Sequence, residues 1–573
     1  MNLAQHLDAI AKNNNHAIAD NHQQWRKKAD RVCTFILLLW LCGGLLYVLP
    51  NHGGSGLELP QNILAWCAIA LLAMGCLCCI IHRRSGFTYS LPPGSLLIII
   101  GGVLWSLPLL WSPKHDWMWN ALPRVMALWG LIGLYVLLLI ATSCRAGRQR
   151  MLLIVVLAAV VQMGDAAWQI IHATQSGRPW GSFQQVNVLA SFLASGVAAA
   201  MWLYLFSPRG GIRVIAGIAM ALGSLCIVVL QSRAGYLGAL LAVAVLAYHA
   251  KANNRLLTTL VILAVGTLLG YWLVANNIAF IPALVDKEGS TRARMRMLKT
   301  TWQLIAHHPV LGNGYGSFEA LFGQQIADDY QPGDIGMEVV THPHNELLLA
   351  WCEGGVCALA GLILMIAGVF QRLWGRKGMR LAGMALLLPI ATHMNLEYPL
   401  YLSASHGLLL VLLLSLCGPG SPAKEQWQYR SPELKFISLW GGVILSLGLL
   451  AFMLAGLVTQ QRLNDIENRG FYPFVMNDAV AAESLINPLI MRDRIDFDRH
   501  MALLLRFNMT HSMPLLARFE RWGRAYLQTH NDPAVYASLI AIDRMTYAPD
   551  RARICQQAHR RWPGDERFNC TGL

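Results

Sequence analysis

Apolar runs close to the ~20 residues needed to cross a hydrocarbon core recur along this chain from Cys33 to Gly456, bounded by clusters of Arg, Lys, Pro or Gly. Nothing constrains the fold more. A chain of 573 residues that is 55% hydrophobic and 13% charged cannot cover its apolar surface as a soluble globule. Runs fall at about 33 to 50, 61 to 81, 93 to 111, 121 to 142, 150 to 171, 187 to 206, 213 to 230, 235 to 250, 255 to 276, 346 to 371, 379 to 394, 404 to 418 and 436 to 458. The expected fold is all-α: a polytopic membrane helix bundle of about 12–13 transmembrane helices, with one large loop between spans and a C-terminal soluble helical domain. The expected boundaries are an N-terminal tail over 1–31, a membrane domain over 32–458 containing the loop 277–345, and the helical domain over 459–573.

Lys and Arg in short loops set orientation, and here they alternate. The first tail carries Arg26, Lys27, Lys28 and Arg31, and every second connection is basic: Arg83/Arg84, Arg145/Arg148/Arg150, Arg209/Arg213, Lys251/Arg255, Arg372/Arg376/Lys377/Arg380 and Lys424/Arg430/Lys435. These are expected to be cytoplasmic. Connections 51–60, 112–120, 172–186, 231–234, 277–345 and 395–403 are then external, as is the tail after Val458. Residues 1–31 are polar and rich in Asn and His, unlike a cleavable signal. The net charge of +14 is largely explained by positive-inside loops touching lipid headgroups, and implies no nucleic-acid partner. Arg292, Arg294, Arg296 and Lys299 oppose the topological bias and call for another explanation.

Most of the 13 cysteines lie in or beside spans, where Cys behaves as a small hydrophobe, and no zinc spacing occurs. Cys555 and Cys570 fall in the external tail, where an oxidising compartment favours their pairing. That tail has no Lys, and short segments of helical periodicity such as Ala534 to Met545 are punctuated by Pro533, Pro549 and Pro563. Paired helices that bind or position a partner are expected there.

Five polar groups are expected at the external face. They are Gly181 to Asn187, with Gln184 and Asn187; Gln231-Ser232-Arg233; the Arg292/Arg294/Arg296/Lys299 cluster followed by Pro309 and Gly312-Asn313-Gly314-Tyr315-Gly316; Thr341-His342-Pro343-His344-Asn345-Glu346; and Asn395-Leu396-Glu397-Tyr398-Pro399. Each has an ordinary reading alone. Arg233 can snorkel to headgroups, Glu397 can pair with a cation, Gln184 and Asn187 can cap a helix, and His342 and His344 can be satisfied loop residues. Together they fit a site for a membrane-bound anionic lipid.

Guanidinium forks bind phosphate oxygens bidentately and keep their charge, which suits a diphosphate at the bilayer surface. A departing diphosphate needs fixed positive charge more than a proton donor. His344 can accept a proton from an attacking hydroxyl, with Asn345 or Glu397 orienting the imidazole or the acceptor. No metal or other cofactor is expected, because the chain lacks the Asp-rich motif that usually holds one for sugar-diphosphate chemistry.

The order Gln184/Asn187, Ser232-Arg233, Arg292/Arg294, Pro309, Gly312-x-Gly314-x-Gly316 and His342-Pro343-His344-Asn345 resembles the superfamily of bacterial O-antigen ligases, O-antigen polymerases and O-linked protein oligosaccharyltransferases. The likeness runs from about residue 150 to the end. It is greatest to the pilin-type O-oligosaccharyltransferases (PglL-type), through the Gln-Asn element, Leu396-Glu397-Tyr398-Pro399-Leu400 and the helical tail. The resemblance implies transfer of a preassembled glycan from a polyprenyl diphosphate carrier to Ser or Thr of a pilin-like or other exported protein, at the periplasmic side of the bacterial inner membrane. It implies His344 as the catalytic histidine, with His342 secondary, and Arg233, Arg292 and Arg294 on the diphosphate. Gln184, Asn187 and Glu397 match family positions. One departure is Leu298, where the family often has Trp; the next tryptophan is Trp302. Two other readings are an O-antigen ligase or polymerase acting on lipid A core or growing glycan, and a lipid-linked glycan transporter. The latter is disfavoured by charges clustered at one face and the lack of an inverted repeat.

Overall fold

The computed structural model describes residues 27–82, 88–89, 91–141, 145–172, 177–276, 288–332, 334, 338–374, 380–417, 427–428 and 432–570. Nine helices among them are long and apolar enough to cross a membrane, the first Lys27–Leu46 and the last Lys435–Asn468. Shorter apolar helices, Ser95–Trp111, Arg233–His249, Ala382–Met394 and Ala404–Leu416, occupy the other expected spans. The protein is a polytopic, helical membrane protein. Its only strand pairing among the described residues is a two-residue antiparallel ladder, Thr88–Tyr89 with Trp427–Gln428.

The helix Val186–Phe206 forms the centre, packed against Arg145–Ile171, Gly210–Leu230, Arg233–His249 and Arg380–Met394. Its small residues, among them Ala190, Ser191, Ala194, Ser195 and Gly196, are fully buried and let those neighbours approach closely where lipid offers no hydrophobic drive. The connections expected on one face gather at one end of the bundle. Asn464 Nδ2 donates to Pro50 O at 2.6 Å, Trp117 Nε1 to Gln528 O at 3.1 Å, and Arg178 Nη1 to Leu230 O at 3.4 Å. Basic connections also meet one another: Arg150 pairs with the buried Asp30, and Arg255 Nη1 donates to Leu205 O at 3.1 Å. Several of their cations, Arg26, Arg83, Arg84, Arg376, Lys377, Lys424 and Arg430, lie outside the described residues.

The last membrane helix differs from its sequence pattern. Apolar residues stop near Val458, yet the helix runs Pro432–Asn468, because Gln460, Gln461, Arg462 and Leu463 are good helix formers and its polar end finds partners. Arg494 Nε reaches Glu467 Oε1 at 2.6 Å, and Arg494 Nη2 reaches Asn464 Oδ1 at 2.7 Å. Left-handed Gly470 and Phe471 end it. Helices Tyr472–Glu483, Arg492–Thr510, Met513–Tyr526, Pro533–Met545 and Arg551–Arg561 follow, each packed on the next. Cys555 and Cys570 form a disulfide.

The long loop contains two helices, Glu288–His307 and Phe318–Asp328, and is seated in a break in the helix Glu346–Trp374. Gly355 has φ 61° and ψ −157°, so the carbonyls before it lose their helical donors. The loop supplies replacements: Asn313 N–H donates to Cys352 O at 2.9 Å and Gly314 N–H to Glu353 O at 2.9 Å, while Val356 N–H donates to Val310 O at 3.0 Å. A Cβ at Gly312 would lie 2.4 Å from Glu353 O, which is why the close approach needs glycine there. The Glu353 carboxylate accepts from Phe318 N–H at 3.1 Å and pairs with Arg124, whose guanidinium lies 5.0 Å from the Tyr315 ring centre. The glycine-rich motif therefore anchors the loop.

The tail covers the same loop. Asn531 N–H donates to Glu319 Oε1 at 2.7 Å, and Arg561 Nε donates to Gly323 O at 3.0 Å.

Candidate active site

The helix Glu346–Trp374 begins with an asparagine cap, and that cap shapes the segment before it. Asn345 Oδ1 accepts from Leu348 N–H at 3.0 Å, and Asn345 Nδ2 donates to Asn395 O at 3.3 Å. Asn345 thus joins the helix start to the 395–398 connection, its amide bonded to Leu348 and Asn395. His344 sits just outside the cap in the left-handed region, with φ 56°. Its backbone N–H donates to His342 Nδ1 at 2.9 Å, which fixes that backbone and requires His342 Nδ1 to be unprotonated. His342 is buried between Tyr398 and Tyr401, with ring centres 5.1 and 5.2 Å away. Tyr398 also meets the His344 ring edge-on at 5.1 Å.

Burial holds the His344 imidazole down to about 4. Glu397 pulls the other way, while His342, Arg294 and His393 reinforce the shift. An imidazole that stays unprotonated beside the Arg294–Glu397 pair can accept a proton at neutral pH.

Glu397 is the hub. Its Oε1 accepts from Asn187 Nδ2 at 2.6 Å and from Arg294 Nη2 at 2.7 Å, and its Oε2 lies 3.2 Å from His393 Nε2. Burial alone would raise its pKa, but the His393 hydrogen bond and the charges of His393 and Arg294 hold the carboxyl below its ordinary range. Asn187 is able to reach it because Gln185 performs the capping: Gln185 Oε1 accepts from Asn187 N–H at 2.5 Å and Val188 N–H at 3.0 Å. Neither Gln184 nor Asn187 is the cap. Gln184 is the left-handed residue of the turn, at φ 56°, and lines a small cleft with Asn62, Ser182 and Ser403.

The four cations of the loop helix divide between its sides. Arg294 turns to Glu397, Arg296 Nη2 pairs with Asp334 Oδ2 at 3.1 Å, and Arg292 and Lys299 are exposed. Arg233, the first residue of its helix, donates from Nη1 to Thr291 Oγ1 at 2.8 Å and so ties the second polar group to the third. Trp302 stacks edge-on against Trp351 at 5.5 Å, on the helix that carries Asn345 at its start. All five polar groups are therefore joined at one end of the bundle. His393 was not singled out from sequence, although its i,i+4 spacing to Glu397 was visible; it lies inside an apolar run, where a lone His reads as core.

Comparison with known families follows the same segments. The O-antigen ligase family matches residues 218–363, which include Arg233, Arg292, Arg294, the glycine-rich anchor and His344. The protein glycosylation ligase family matches residues 179–204, which include Gln184, Asn187 and Ser191. These matches support the O-antigen ligase superfamily, with PglL-type features. The C-terminal part of a family described as virulence factor membrane-bound polymerase matches residues 381–569, from the helix bearing His393 to the end of the tail. No curated protein and no solved structure matches the chain. The ligase-family matches support glycan transfer as the reaction class, and the matched segments meet in space at Glu397.

Proposed function

We propose that this protein is an O-oligosaccharyltransferase: it moves a preassembled oligosaccharide en bloc from a polyprenyl diphosphate carrier to Ser or Thr hydroxyls of pilin-like or other exported proteins. The observation that carries this reading is His344, set edge-on against Tyr398 beside the Arg294–Glu397–Asn187 cluster, at the end of the bundle where the loop and tail assemble. His344 takes the proton of the acceptor hydroxyl as its oxygen bonds to the anomeric carbon of the donor sugar. The bond from that carbon to the diphosphate oxygen breaks, and the electron pair leaves on the diphosphate. Arg294, with Arg233 and Arg292, supplies fixed positive charge for that leaving group, and the proton passes to bulk solvent. The site and tail face the periplasm of a bacterial inner membrane; the basic connections at the other end and the Cys555–Cys570 disulfide support this orientation.

The acceptor is argued from the protein glycosylation ligase match over the Gln184/Asn187 turn. The longer O-antigen ligase match favours a second reading, an O-antigen ligase or polymerase with lipid A core or glycan as acceptor. Expression in a host loaded with lipid-linked glycan and a candidate pilin separates the two. The expected result is a glycan mass shift on the pilin that His344→Ala abolishes at normal membrane abundance; capping of lipid A core with an unmodified pilin would establish the second reading instead.

A further inference from the structure

The oxygen of Glu397 not taken by Arg294 and Asn187 starts a buried polar chain that the transfer step above does not use. Oε2 lies 3.2 Å from His393 Nε2, His393 Nδ1 lies 2.7 Å from Ser191 Oγ, and Ser191 Oγ lies 3.0 Å from His406 Nε2. The three residues come from three helices, Arg380–Met394, Val186–Phe206 and Ala404–Leu416, and all are buried. Polar side chains at such depth are costly unless their hydrogen bonds are complete, so their protons can be counted.

A carboxylate only accepts, so His393 carries a proton on Nε2. Ser191 has one hydroxyl proton and three neighbours, the two imidazoles and the carbonyl of Val188 at 3.1 Å, which also only accepts. His406 Nδ1 is buried without a hydrogen-bond partner. The tautomer that leaves no orphaned N–H there has its proton on Nε2, donating to Ser191. Ser191 then donates to Val188 or to His393. His393 is a cation in the first arrangement and neutral in the second, and in both its Nε2–H stays on Glu397.

This matters for Arg294. A carboxylate next to a guanidinium ordinarily closes on it bidentately, consuming two of its donors and one whole edge of the fork. Here the contact is single, Nη2 to Oε1, and the second oxygen belongs to His393. We infer that His393, steered by Ser191 and His406, is a positioning residue that keeps Glu397 from closing on Arg294 and so leaves the arginine fork for the diphosphate of the donor. The inference rests on the polyprenyl diphosphate donor proposed above.

The test is binding of polyprenyl diphosphate without glycan to the full chain in lipid nanodiscs, which requires no acceptor and no transfer. His393→Phe should bind about tenfold more weakly than wild type, and His393→Gln, which keeps an amide donor, should stay within about threefold. The decisive variant adds Glu397→Gln to His393→Phe: a neutral amide cannot trap the guanidinium, so affinity should recover. If the phenylalanine is not accommodated, Ser191→Ala, alone and with Glu397→Gln, carries the same comparison from the far end of the chain. Wild-type affinity in His393→Phe, or a loss that Glu397→Gln does not relieve, overturns the inference while the donor reading stands. No binding by the wild-type protein overturns the donor reading and this inference with it.

Discussion

At the scale of single residues, the site depends on which protonation state each group can hold. His344 has an ordinary imidazole value when exposed and is pushed down to about 4 in the fold, chiefly by burial. Between pH 6.5 and 4 an unfolded chain takes up a proton that the folded His344 refuses, so this group's contribution to stability falls as pH drops through that window. Its base form persists above about 4. Initial transfer rates from pH 4 to 8 should therefore show any acid limb due to His344 nearer 4 than 6.5, and a limb at 6.5 would assign that ionisation to another group. His344→Gln should lower turnover by roughly 10²- to 10⁴-fold, the usual contribution of a general base. His344 and Glu397 were legible in the sequence because polar residues are scarce in such a chain. The partnership of Glu397 with Arg294, Asn187 and His393 was not, because residues 103 and 210 positions apart meet only through packing.

At the scale of elements, the break in Glu346–Trp374 is what holds the arginine-bearing loop in place. Non-helical backbone at membrane depth survives only where protein satisfies its carbonyls, and the Val310–Gly314 segment does so for Cys352 and Glu353. Gly312→Ala would bring a Cβ to 2.4 Å from Glu353 O at a residue with φ 76°. The expected cost is about 1–3 kcal/mol, read as a lower thermal midpoint in detergent and faster proteolysis within 288–328. Unchanged stability would show that the loop is held by other contacts. Sequence analysis recognised the glycines as a motif but not their purpose. Glycine spacing shows that backbone must bend or approach, and not what it approaches.

At the scale of the whole molecule, the tail, the loop and the bundle form one assembly around the site. Trp117 from the bundle and Glu319 from the loop both bond to the turn at Gln528–Asn531, so the tail bridges them. The Cys555–Cys570 disulfide lies beyond that bridge and ties the last helix to the chain end. Its removal by Cys570→Ser should destabilise the tail by about 2–4 kcal/mol. Limited proteolysis should then cut after residue 551 sooner, with the bundle's unfolding unaltered; simultaneous loss of both would show that tail and bundle unfold as one unit.

What the sequence determined alone is the class, the spans and the segregation of polar chemistry to one end. Those follow from local composition, because a lipid solvent demands about 20 apolar residues per crossing and loop charges report sidedness. Tertiary structure decided which of Arg292, Arg294 and Arg296 meets the carboxylate, that Gln185 caps and frees Asn187, that the last helix outruns its apolar stretch, and that His393 stands behind Glu397. Each of these rests on contacts between distant segments, whose identity depends on helix rotation and register that no local pattern encodes.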